Sequence, residues 1–113
     1  MVKEKYTPSE IKKIIHGLVK TLTANSITVD KIVLYGSYAK GTPQPHSDID
    51  LAVISPDFKG KKIMEIQTTL AGLLGQYLSI TEVIGYSSDE FLSASPETFI
   101  GEIKRTGKII YAS

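Results

Sequence analysis

Ile11, Ile14, Ile15, Leu18, Val19 and Leu22 recur at helical spacing, and Thr7-Pro-Ser-Glu10 before them reads as a capping box with proline at the first helical position. This pattern predicts an amphipathic helix to about Ala24, ended by Asn25 in the left-handed conformation. The unbroken apolar run Ile32–Tyr35 predicts a buried strand leading into Gly36-Ser37, where a short helix-like turn can begin. Two prolines make residues 41–47 a loop. From Asp48 to Ile54 the chain reads as a second strand, with Asp48, Asp50, Ala52 and Ile54 on one face and Ile49, Leu51 and Val53 on the other. Pro56 and Gly60 bracket its exit loop.

Spacings of three and four from Ile63 to Tyr77 predict a second helix over 61–78, despite Gly72 and Gly75. Residues 80–86 suit a third strand. Ser95-Pro-Glu97 is placed to open a last helix, Gly107 to close it, and Lys108–Tyr111 to form a terminal strand. The fold class is therefore α/β (α+β), one mixed sheet of about four strands with packed helices. The pattern leaves open whether the helices cover one face or both.

Composition narrows the chemistry. The 113 residues suit one core, and 13 basic against 12 acidic side chains give a net charge of +1, too little for an extended nucleic-acid footprint. The absence of cysteine removes disulfides, thiolate metal sites and cysteine nucleophiles. No apolar stretch approaches the roughly 18 residues of a membrane helix, and the N-terminus lacks an apolar signal core. The expectation is a soluble, cytoplasmic protein.

The densest chemical signal is Tyr35-Gly-Ser-Tyr-Ala-Lys-Gly41 followed by His46-Ser-Asp-Ile-Asp-Leu51. At Gly36-Ser37, backbone N–H groups and the Ser37 hydroxyl can face phosphate oxygens, with Lys40 available to neutralise charge. Asp48 and Asp50, two residues apart on a strand, can bridge Mg²⁺ ions in the geometry of two-metal nucleotidyl displacement. A Walker loop is excluded because Thr42-Pro43 stands where that loop needs Lys-Ser/Thr, and an EF-hand fails because residue 52 is Ala within a strand. His46 is close enough in sequence to bond Asp48 or move a proton there. His16 flanks the apolar stripe of the first helix and reads as structural. Lys59, Lys61 and Lys62, like Lys104, Arg105 and Lys108, read as solvated helix ends.

Gly36-Ser37, ten residues, then Asp48-Ile-Asp50 resembles the signature of the minimal nucleotidyltransferases, relatives of the DNA polymerase β superfamily. The resemblance continues through Glu82-Val-Ile-Gly-Tyr-Ser-Ser-Asp-Glu-Phe91, similar to the family's third-carboxylate strand followed by a Ser/Thr-initiated helix, and through Lys104–Tyr111. It implies one minimal nucleotidyltransferase domain over 1–113, with Gly36, Ser37 and Lys40 holding the nucleotide phosphates. Asp48, Asp50 and Glu82 would be both the metal ligands and the catalytic carboxylates, with two Mg²⁺ ions. Glu82 stands where the family usually has Asp. The implied substrate is ATP or another nucleoside triphosphate, and the implied acceptor a hydroxyl, a tyrosine by resemblance, on a HEPN-type partner that the modification would neutralise as in a toxin–antitoxin pair. The expectation of a protein acceptor also rests on the chain ending just beyond its last strand, which leaves nothing to build a second acceptor-binding domain. A homodimer is the competing way to close the cleft. A nucleotide- or partner-binding module of weak activity is the alternative function, motivated by Glu82.

Overall fold

The computed structural model describes residues 5–113. Helix α1, Pro8–Ala24, begins as its sequence requires: Thr7 Oγ1 accepts from the Glu10 N–H at 3.1 Å, and Glu10 Oε1 accepts from the Thr7 N–H at 2.8 Å. Its end differs from expectation. Asn25 keeps a negative φ and donates its side-chain amide to the Thr21 carbonyl at 2.8 Å, so the reversal falls on Ser26, at φ 64°. His16 is exposed.

Strand β1 is Lys31–Tyr35, α2 Gly36–Lys40, β2 Ile49–Ser55, α3 Ile63–Leu73, β3 Thr81–Ser87, α4 Ser88–Leu92, α5 Phe99–Thr106 and β4 Lys108–Ala112. The second predicted helix is thus shorter than 61–78. After Leu74 the chain tightens into a 3₁₀ turn at Gly75–Tyr77, because two glycines within four residues weaken the α ladder. The last helix begins later than Ser95-Pro-Glu97 suggests. The Ser95 carbonyl accepts from both the N–H and the hydroxyl of Thr98, which caps α5, and a Cβ on Gly101 would overlap that carbonyl. The Ser-Pro-Glu segment is therefore a turn folded against the first turn of α5. Gly107 does close α5, at a negative φ, where a Cβ would meet Val33 Cγ1 at 2.6 Å.

The strands order as β3-β2-β1-β4, with β1 antiparallel to β2 and β4, and β2 parallel to β3. Helices cover both faces. Ile11, Ile15, Leu18 and Leu22 of α1 and Ile66 and Leu70 of α3 pack with Ile32, Leu34, Ile49, Leu51 and Val53 on one side, while Phe91 of α4 and Ile103 of α5 pack with Val33, Ala52 and Ile54 on the other. Burial on both faces explains why β2 is apolar at every position but Asp50 and its last residue, Ser55. Among the described residues, no helix is long and apolar enough to cross a membrane.

Candidate active site

Sheet register lines up three side chains. Tyr35 pairs with Asp50 across the antiparallel ladder and Asp50 with Glu82 across the parallel one, so all three stand in a row on the face that carries α4 and α5. Asp48, two residues before Asp50, shares its side of the chain and lies exposed just outside β2. Asp50 is partly buried and stands in register beside Glu82. Burial, followed by the negative charges of Glu82 and Asp48, raises Asp50 to about 6. Burial also raises the Tyr35 hydroxyl, with Asp50 and Glu82 adding to the effect.

Gly36 forms the roof of this row. Its φ of +72° turns the chain from β1 into α2, and a Cβ there would overlap Asp50 Oδ2 and sit 3.1 Å from Asp50 Cγ. Only a residue without a side chain lets the turn approach the carboxylate so closely. Ser37 follows on the first turn of α2 with its hydroxyl making no hydrogen bond among the described residues, while Gly41, at φ 75°, ends the helix. Lys40 is exposed at the end of α2 and helps to line a cavity of about 200 Å³ between α2 and α5, together with Tyr35, Phe99 and Glu102. A depression of about 730 Å³ between the loop that follows α1 and helix α3 shares no residue with the carboxylate row.

The structure therefore brings Asp50 and Glu82 into contact, keeps Asp48 within electrostatic range and sets the Gly36-Ser37 turn directly over Asp50. It leaves His46 apart, exposed at φ 67° and making no hydrogen bond or ion pair with Asp48. Among the described residues no three His, Asp or Glu side chains are gathered as a ready metal cage. The donor set nonetheless suits a hard divalent cation: the charges of Glu82 and Asp48 add to burial in lifting Asp50, and a cation would relieve that repulsion. Sequence reading missed Tyr35, whose ring meets Phe99 edge-on at 5.8 Å and walls the site toward α5. Its parity was the available signal, since it precedes Gly36 on an antiparallel neighbour of the Asp-Ile-Asp strand.

Comparison with known proteins shows the fold to be that of a nucleotidyltransferase. A family model described as polymerase beta, nucleotidyltransferase, matches residues 17–113, and the chain belongs to that family. No curated protein matches it. Among solved structures, a toxin–antitoxin complex with AMP-PNP is 27% identical, with a TM-score of 0.53, covering 90% of this chain and 73% of its own. A tyrosine-to-alanine variant of the toxin–antitoxin MntA-HpeT is 27% identical, with a TM-score of 0.57, covering 88% of this chain and 72% of its own. A candidate nucleotidyltransferase from Sulfolobus solfataricus, at 13% identity and a TM-score of 0.63 over 89% of this chain and 79% of its own, shares the fold.

Proposed function

We propose that this nucleotidyltransferase moves a nucleoside monophosphate, AMP from ATP, onto a hydroxyl of a partner protein of the HEPN type, and so acts as the antitoxin of a toxin–antitoxin pair. The observation that carries the reading is Asp50, raised to about 6 beside Glu82 and Asp48 and covered by a turn that only glycine permits. Support for ATP and for a protein partner comes from the neighbours, one a toxin–antitoxin with AMP-PNP and another MntA-HpeT.

Asp48, Asp50 and Glu82 would hold Mg²⁺, which when bound supplies positive charge against the triphosphate and lowers the pKa of the acceptor hydroxyl. Gly36 and Ser37 would present backbone N–H groups and one hydroxyl to the phosphates, and Lys40 would add a cation at the far end of α2. The acceptor oxygen bonds to the α-phosphorus as the bond to pyrophosphate breaks, and its proton leaves to solvent or a carboxylate. Tyr35 is kept protonated by burial and by Asp50, so it stays a neutral wall and adds no charge.

The test is co-expression with a HEPN-type partner, followed by intact-mass measurement of both chains. Adducts of nucleoside monophosphate on the partner that vanish with Asp50→Asn are the expected result. A stable complex that binds Mg-ATP without adducts would replace this reading with that of a binding module.

A further inference from the structure

On the opposite face of the sheet from the carboxylate row, a cavity of about 400 Å³ lies between the first half of α1 and strands β1 and β4. Its size falls within the roughly 300–1,000 Å³ of small-molecule sites. Ile11, Ile15, Leu34 and Ile110 make its walls apolar, while Lys12 and Lys108, both exposed, stand at its border. One end is braced by Tyr38 of α2, whose hydroxyl accepts from the Tyr6 N–H at 3.0 Å. Among the described residues neither Lys12 nor Lys108 has an ion-pair partner.

Among the described residues the lining carries two cations, from separate elements, and no anion, which defines the ligand's chemistry. We propose that this cavity is a binding site for a small amphipathic anion, an apolar ring or acyl body seated among Ile11, Ile15, Leu34 and Ile110 with its anionic head between Lys12 and Lys108. A second copy of the chain is disfavoured, because it would bring two more lysines to the same place. A protein surface is disfavoured as well. Docked partners bury about 800 Å² a side, yet none of the exposed large apolar residues, among them Ile63, Met64, Leu92 and Ile109, lines this cavity.

The experiment titrates the full chain with anilinonaphthalene sulfonate, following dye fluorescence, and then competes the dye with decanoate or with uncharged decanamide. Expected are saturable one-to-one binding, displacement by decanoate at concentrations about tenfold lower than by decanamide, and a loss of about tenfold in affinity for Lys12→Glu with Lys108→Glu, since charge-assisted contacts are the stronger kind. These exposed substitutions leave the core intact, and NMR shifts on dye binding should concentrate at Tyr6, Tyr38 and Ile110. Equal displacement by the two competitors, undiminished dye affinity in the double variant, or shifts centred elsewhere would overturn the proposal. So would failure of the dye to bind together with a dimer, seen by sedimentation, that the lysine variants alter.

Discussion

Replacing Asp50 with asparagine should make the metal-free protein more stable at neutral pH, and the structure gives the effect a size and a pH window. Asp50 is raised from 3.8 to about 6, first by burial and then by Glu82 and Asp48. A raised carboxyl means that the folded state binds its proton more tightly than the unfolded chain does. Its contribution is therefore fully present below about pH 4 and is lost as pH rises through about 6. Two units correspond to roughly 3 kcal/mol, but Asp50 is partly open to water, and screening reduces this to about 1–2 kcal/mol. The asparagine side chain carries no charge and can donate to Glu82. With roughly 4 °C of Tm per kcal/mol for a domain of this size, the variant should melt about 4–8 °C above wild type at pH 7.5 in EDTA. Circular dichroism melts from pH 4 to 7.5 should show the gap closing toward the acid end. Added Mg²⁺ should then raise the wild-type Tm and leave the variant unchanged. A gap of the same size at both pH extremes would refute the electrostatic origin, and one that is absent throughout would refute the strain on Asp50.

Gly36→Ala should cost about 1–3 kcal/mol in urea unfolding through its positive φ and its overlap with Asp50, and it should abolish nucleotide binding; unchanged Mg-ATP affinity by calorimetry would remove the turn from the site. Glu82→Gln should remove turnover whereas Glu82→Asp preserves or raises it, measured as pyrophosphate release; equal rates in wild type and the Gln variant would exclude a catalytic role. Gly85→Ala should cost about 1–3 kcal/mol, because its Cβ would lie 2.5 Å from Ile66 Cγ2 and 2.9 Å from Phe58 Cε2, and wild-type stability would show that α3 can shift aside.

What the sequence made legible is what neighbouring residues decide among themselves. The Thr7–Glu10 capping box and the β2 run depend on partners within a few positions; the box is found where expected, and the strand runs one residue later than the expected 48–54, which leaves Asp48 just outside it. The Gly-Ser and Asp-Ile-Asp pair was legible for the same reason, each half having its geometry dictated locally. Distant contacts decided the rest. The start of α5 is displaced because Gly101 admits the Ser95 carbonyl, and Phe99 reaches Tyr35 only because α5 packs across β1. Helices on both faces follow from which stripes meet which side of the sheet, a fact that no single segment records.

Glu82 shows how tertiary structure places a side chain whose surroundings residue type alone does not give. It sits on β3, at the edge of the sheet, and is exposed, so the added methylene costs little burial energy. Its strand is fixed by the parallel pairing with β2 on one side, where Glu82 faces Asp50, and by Gln67 on the other. That side chain donates to the Val83 carbonyl at 3.0 Å and accepts from the Gly85 N–H at 3.1 Å, meeting the backbone groups that an edge strand would otherwise present to another chain. The opposite edge is protected differently, by Lys108 and by an irregular register where Ile109 pairs with Val33 and Tyr111 with Ile32. Because β3 is held on both sides, Glu82 is kept in register opposite Asp50, where its negative charge adds to burial in raising that carboxyl. After burial, the Glu82 charge is the next contribution that raises Asp50, so the two paired carboxylates make this end of the sheet a place where positive charge is stabilised.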